Sequence, residues 1–311
     1  MMKLNKIAHP YLFAIISVSL WGTTFAVSKF VTPTPLSPLS FTAIRTFLGG
    51  LALLLYIIAK GEFQAFKTMI SHHFGTFLCL GAGLYSLAYV FQYWGLMYTS
   101  SINQSILSNT QTFWVVVFNL FIFKHRPNKV FLLGAIISFI GVFFIIFQDG
   151  LSASSVTFLG DVISLVAFLF WGSYTAMSKP ISMKENPLHV TTAIICFAVV
   201  FLIPVSLIFG SGQEMLKLTS SQWGLMIYLG IGCVAITFLC WSVALSNKEI
   251  PSENIAIISM LNPVVGIITS ILLLGEILTL PTIFGCVIVF CGLIIANYVS
   301  ARVERRKFST P

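Results

Sequence analysis

The stretch WGTTFAVSK at residues 21–29 returns as WGSYTAMSK at residues 171–179. Working outward from that pair, Gly134 and Gly141 recur as Gly285 and Gly292, and Ser101-Ile102-Asn103 recurs as Ser252-Glu253-Asn254. All of these repeats are offset by 150 or 151 positions. The chain therefore reads as a duplication, residues 1–150 and 151–311, the second copy ending in a basic tail at 302–307. The internal copy also argues against reading 11–28 as the core of a cleaved signal peptide, although Lys3 and Lys6 precede it and small residues follow it.

What each copy contains follows from composition. Of the 311 residues 57% are apolar and 8% charged, against about 25% charged in a soluble domain, so a water-soluble fold is excluded. Apolar runs bounded by Pro, Gly and charge fall near 11–31, 38–59, 74–97, 101–123, 129–147, 156–178, 188–209, 221–246, 253–274 and 280–299. Each approaches the ~20 residues that a helix needs to cross hydrocarbon. They lack the alternation of a membrane barrel, and helices satisfy their own backbone in lipid. The expected fold is an all-α integral membrane protein of ten transmembrane helices. Five spans per copy is an odd number, so the second copy enters from the opposite side, giving two inverted five-helix repeats.

The net charge of +8 takes its meaning from placement. With the N-terminus inside, 14 of the 17 cations fall on cytoplasmic segments, including Lys60, Lys67, Lys124, Arg126, Lys179 and the tail. Lys29 and Lys217 fall outside and Arg45 lies within a span. This positive-inside asymmetry predicts cytoplasmic termini and no nucleic-acid role; the basic tail reads as a juxtamembrane stop. Plasma (inner) membrane is the expected location.

The WG[TS] of the first helix in each half, Arg45 in the second helix, Gly275-Glu276 after the ninth and the glycine pairs of helices five and ten resemble the EamA-type branch of the drug/metabolite transporter superfamily across roughly 11–300. The fourth helix departs from the family's pattern, ending in Lys124-His125 where Gly-Glu is common. The resemblance implies a ten-helix transporter with a central cavity lined mainly by helices three, four, eight and nine, exporting amino acids and other small metabolites.

The residues support transport on their own terms, since inverted repeats provide two quasi-equivalent halves whose rocking exposes a midplane site to either side. In the third helix Tyr85, Tyr89 and Gln92 stand at i, i+4 and i+7, on one face. The fourth carries Gln104, Ser105, Ser108, Asn109, Gln111 and Thr112, too polar to face lipid. In the ninth, Ser259 and Asn262 precede Pro263, which frees a carbonyl; in the eighth, Thr237 and Trp241 share a face. Trp21 and Trp171 lie inside their spans rather than at the interface where Trp usually anchors.

The candidate substrate-binding set is thus Trp21, Tyr85, Tyr89, Gln92, Asn109, Gln111, Trp171, Thr237, Trp241, Ser259 and Asn262, with Arg45 a candidate contact for a carboxylate or other anion. The competing role for the polar residues is bonding between helices; for Arg45 it is snorkelling or bonding helix-end carbonyls. Gly134, Ser138 and Gly141 form a stripe for close packing on a neighbouring helix or a second subunit, so a homodimer is a possible assembly.

Asp161 and Glu276 sit at span ends and no carboxylate lies near a midplane, so a carboxylate relay has no support. Scattered histidines and the absence of a phosphate loop, metal spacing or channel filter speak against an enzyme, an ATPase and a channel. No catalytic residue, metal or cofactor is expected. The six cysteines read as small apolar residues within spans. A membrane-embedded enzyme and a sensor or scaffold are the alternatives to a transporter. Phosphorylated substrates would call for more inward cations than Arg45 supplies, leaving neutral, zwitterionic or aromatic metabolites, amino acids first.

Overall fold

A computed structural model describes residues 2–31, 36–123, 129–147, 156–209, 217–246, 258–259 and 261–296. Lys124, His125, Ser252, Asn254 and the basic run 302–307 lie outside the described residues. Among the described residues there is no strand. The helices are α1 Met2–Val31, α2 Pro38–Ala59, α3 Phe63–His72, α4 Phe74–Phe77, α5 Ser86–Leu96, α6 Ser101–Leu107, α7 Thr110–Phe123 and α8 Lys129–Ile146. They continue with α9 Val156–Ser182, α10 Pro187–Phe209, α11 Ser220–Ile227, α12 Thr237–Ser246, α13 Leu261–Leu274 and α14 Leu280–Ile294. Two wide, π-helical stretches join α4 to α5, at Leu78–Tyr85, and α11 to α12, at Tyr228–Ile236.

Among the described residues, seven segments are long and apolar enough to cross a membrane: Tyr11–Val31, Pro38–Ala59, Phe74–Leu96, Lys129–Ile146, Val156–Ser182, Pro187–Phe209 and Ser220–Ala244. Two shorter apolar helices, α13 and α14, follow. The surface is apolar, with Phe121, Val200, Phe209 and Leu272 each more than 70% exposed, while Arg45, Gln104 and Asp161 are buried among a largely apolar core. Apolar side chains displayed outward, with polar groups withdrawn inside, suit a lipid solvent.

Three local departures from the sequence expectation have identifiable causes. The fourth span is broken between α6 and α7. There Ser108 Oγ donates to Ser105 O (2.6 Å), Asn109 Nδ2 to Ile106 O (3.0 Å) and Thr110 Oγ1 to Leu107 O (2.7 Å), and the backbone tightens to i→i+3 bonds at Asn109, Gln111 and Thr112. Three consecutive side chains bonding back three residues compete with the helical ladder. Residues 63–72, expected as loop, form α3 after a turn at Gly61 (φ +72°), with Phe66 and Met69 buried and Gln64, Lys67 and Thr68 outward. The third is the pair of π-helical stretches, each closed by a hydroxyl reaching five residues back: Ser86 Oγ to Gly81 O (2.7 Å) and Thr237 Oγ1 to Gly232 O (2.9 Å).

Close packing rests on glycine. A Cβ on Gly22 would lie 2.7 Å from Asn262 O and 2.8 Å from Val265, and one on Gly172 2.9 Å from Gln111 O, so α1 abuts α13 and α9 abuts α7 at backbone distance. Gly141 meets Gly285 O in the same way, Gly134 meets Gly292 and Ala296, and Ser138 Oγ donates to Val289 O (3.2 Å). The small-residue stripe of α8 is therefore occupied by α14 of its own chain.

Candidate functional site

Arg45 projects from the middle of α2 into the interior and is 1% exposed. Its Nε donates to Leu229 O (3.2 Å), a carbonyl of the second π-helical stretch, and its Nη1 donates to the Tyr93 hydroxyl. The guanidinium lies 4.6 Å from the centre of the Tyr89 ring and 5.7 Å from that of Tyr93, positions in which a cation gains from the ring quadrupole. Nη2 is buried without a hydrogen-bond partner. Snorkelling is thereby replaced by full burial.

Among the described residues no carboxylate is paired with this charge. Among the described residues Glu62 faces Lys60 and His189, Glu185 faces His73, and Asp161 and Glu276 are engaged by Thr99, Asn103 and the start of α6. A buried cation lacking a counter-charge is costly, and the rings and hydroxyl offset only part of that cost.

The face of α5 expected from i, i+4, i+7 spacing is present. Tyr85 and Tyr89 stand 4.8 Å apart by ring centroid and both meet Trp171 of α9 edge-on, at 5.7 and 4.9 Å. Trp171 Nε1 donates to Gln92 Oε1 (3.0 Å), which sets the indole's orientation. Two tyrosines missed by the sequence reading complete the group. Tyr93 stacks on Tyr89 at 5.9 Å and Tyr174 meets Trp171 at 5.3 Å. The signal was available, since Tyr93 stands four residues after Tyr89 and Tyr174 three after Trp171, the spacing of helical neighbours.

The other candidates lie elsewhere. Trp21 packs on Phe238 and Trp241, each at 5.4 Å, forming a second aromatic group between α1 and α12, with Tyr228 OH 2.7 Å from Thr23 Oγ1 beside it. Thr237 is wholly buried; its hydroxyl closes the π-helical stretch and its carbonyl accepts from Ser17 (3.0 Å). Of the fourth-helix cluster, Gln104 Nε2 donates to Gln92 O (2.6 Å) and Ser164 Oγ (2.9 Å), and Ser105 Oγ to Pro263 O (3.4 Å), so these side chains tie helices together. Asn109 borders a separate small cleft shared with Phe113, Phe131, Ser138 and Val289. Gln111 presents its carbonyl to Gly172 and Asn262 its carbonyl to Gly22, while Asn262 Oδ1 is buried without a partner. Ser259 is half-buried. Pro263 is a buried residue of α13. Among the cysteines, all free, Cys79 and Cys291 are exposed rather than buried.

One end of the bundle is held by a polar clasp. Lys29 Nζ donates to Leu96 O and Thr99 O, both at 2.6 Å, at the C-terminus of α5. Asp161 accepts from Thr99 Oγ1 and from Asn103 Nδ2 (3.3 Å). Glu276 accepts from the backbone N–H of Ser101 (2.9 Å) and Ile102 (3.0 Å) at the N-terminus of α6, after a turn that needs glycine at Gly275 (φ +66°). Lysine at a helix C-terminus and a carboxylate at a helix N-terminus both complement the helix dipole.

Comparison with known proteins agrees with a chain of this construction. The profile of the EamA-like transporter family matches twice, at residues 9–147 and 158–298. An uncharacterized transporter of Archaeoglobus fulgidus is 26% identical over 92% of this chain and 96% of its own. A probable amino-acid metabolite efflux pump of Salmonella typhimurium is 23% identical over 94% and 95%, and one from Escherichia coli 24% identical over 91% and 92%. A crystal structure superposes with a TM-score of 0.63 at 17% identity, covering 96% of this chain and 99% of that one, a likeness of fold. Helices of membrane-spanning length, an apolar outer surface and a profile matched in both halves lead to one assignment: the chain belongs to the EamA-like transporter family.

Proposed function

We propose that the protein is a secondary transporter of the plasma membrane that exports small metabolites such as amino acids by alternating access. It has ten membrane-crossing helices in two inverted repeats, residues 1–150 and 151–311, and its substrate site lies at Arg45, Tyr85, Tyr89, Gln92 and Trp171. The efflux-pump relatives support the substrate class.

The observation that carries the reading is a reciprocal set of contacts. Gly230 packs on Leu48, Arg45 O and Gly49 N, while Gly81 packs on Phe197, Ile194 O and Ala198 N. Every member of the second set is offset by 149 positions from its counterpart in the first. Gly22 on Asn262 and Val265 answers Gly172 on Gln111 and Trp114 in the same manner. Each half thus places its glycines against the other half, an exchange that supports two pseudo-symmetric units able to trade roles around a midplane site. Gly81 and Gly230 lie in π-helical turns, which recur at functional sites.

With the termini cytoplasmic, the Lys29, Asp161 and Glu276 clasp stands on the outer side and the conformation is closed outward. Counterflow in proteoliposomes tests the reading: preloading with unlabelled amino acids should drive transient accumulation of the labelled one. Turnover of a substrate without counterflow would favour a membrane enzyme.

A further inference from the structure

The duplication supplies an internal control for what the fold itself requires. The reciprocal glycine contacts pair Arg45 with Ile194. The five-back hydroxyl bonds pair Ser86 with Thr237, and counting on from them sets Tyr89 against Cys240 and Tyr93 against Ala244. All eight residues are buried, none more than 8% exposed. The reciprocal glycines Gly22 and Gly172, Gly81 and Gly230, and the tryptophans at 21 and 171 are kept in both copies. The guanidinium and the two phenols around it are replaced by isoleucine, cysteine and alanine. The repeat architecture thus forms in the second copy without such a polar group, which sets Arg45 and its phenols apart as a feature of the first half.

The chemistry of that group narrows what it can hold. Arg45 Nη2 is buried and unpartnered, every carboxylate among the described residues is engaged elsewhere, and the neighbouring walls are the rings of Tyr89 and Tyr93, with Trp171 edge-on to Tyr89 beyond them. A carboxylate accepts from a guanidinium with matching planar geometry. An ammonium on the same ligand would find no free anion among the described residues, and the Tyr89 face that could hold it already lies 4.6 Å from the Arg45 cation. We propose, resting on the transporter reading above but replacing its amino-acid substrate class, that Arg45 binds the carboxylate of a substrate with a single negative charge and a flat apolar body, an aryl carboxylic acid rather than a zwitterion. Trp171, held by Gln92, receives the ring.

Thermal unfolding of the purified full-length protein in nanodiscs, titrated with phenylacetate, phenylalanine and phenethylamine, separates the possibilities. Phenylacetate should raise the unfolding temperature, phenylalanine should need at least about tenfold more for the same shift, and phenethylamine should do nothing. Arg45→Lys, which keeps the charge and loses the fork, should weaken phenylacetate by about tenfold, the worth of one charge-assisted hydrogen bond. Equal or stronger stabilisation by phenylalanine or phenethylamine, or no response to phenylacetate, overturns the proposal. So does unchanged phenylacetate binding in Arg45→Lys. If that variant does not fold, the wild-type series alone decides. Counterflow of labelled phenylacetate distinguishes the two readings: stabilisation without counterflow sinks transport and leaves the ligand class standing. Counterflow of phenylalanine with no phenylacetate effect sinks the ligand class and leaves transport.

Discussion

The carboxylate of Glu276, just beyond α13, closes on the backbone N–H of Ser101 at the start of α6, 2.9 Å away and 175 residues earlier in the chain. With its second oxygen on Ile102 N–H (3.0 Å) it satisfies two helix-end donors at once. The acid of the Gly275-Glu276 pair is therefore a strut between the halves. Glu276→Gln should lower stability by about 1–2 kcal/mol, because one charge-assisted acceptor is lost. Thermal unfolding reads the loss, and an unchanged midpoint would remove the strut from the account.

Glycine contacts at backbone distance predict steep steric sensitivity. A Cβ at Gly172 would stand 2.9 Å from Gln111 O, whereas one at Gly224 meets nothing within 4 Å. Gly172→Val should cost roughly 1–3 kcal/mol through overpacking. Gly224→Ala, on an exposed helical position, should gain up to about 1 kcal/mol. Equal effects at both positions would contradict the packing scheme.

Asn109 and Gln92 separate two roles that polar membrane residues play. Asn109 Nδ2 bonds to Ile106 of its own helix beside a separate cleft, and Gln92 Oε1 holds the Trp171 indole. Asn109→Leu should leave ligand-induced stabilisation near wild type, while Gln92→Leu should weaken it about tenfold, the worth of roughly 1.4 kcal/mol. The same titration applied to both variants checks this, and the opposite ranking would move the site toward the fourth helix.

The cation asymmetry predicts sidedness. Reporter fusions at Pro127 and Asp149 should report cytoplasm and exterior respectively. Both on one side would break the alternation of spans.

What could be read from the residues alone was mostly periodic. The face joining Tyr85, Tyr89 and Gln92 follows from helical spacing, and the depth of Arg45 follows from counting turns. The direction in which polar groups spend their bonds was not legible. The fourth helix advertised six polar side chains, yet Ser108, Asn109 and Thr110 turn back on their own backbone, and that choice depends on local geometry that composition does not encode. Thr237 looked like a wall residue because nothing in LGIGCVAI, residues 229–236, announces a widened helix for its hydroxyl to close. Tyr93 and Tyr174 were within reach of the spacing argument already applied to their neighbours.

The central claim is that a site buried between the halves is reached from one side of the membrane at a time. It is tested by Gln92→Cys in a background freed of the six native cysteines, labelled by an impermeant thiol reagent from either face, with and without Glu276→Gln. Cutting the clasp should raise labelling from the exterior and lower it from the cytoplasm in the same preparation. A rise from both faces together, or no change from either, would contradict alternating access.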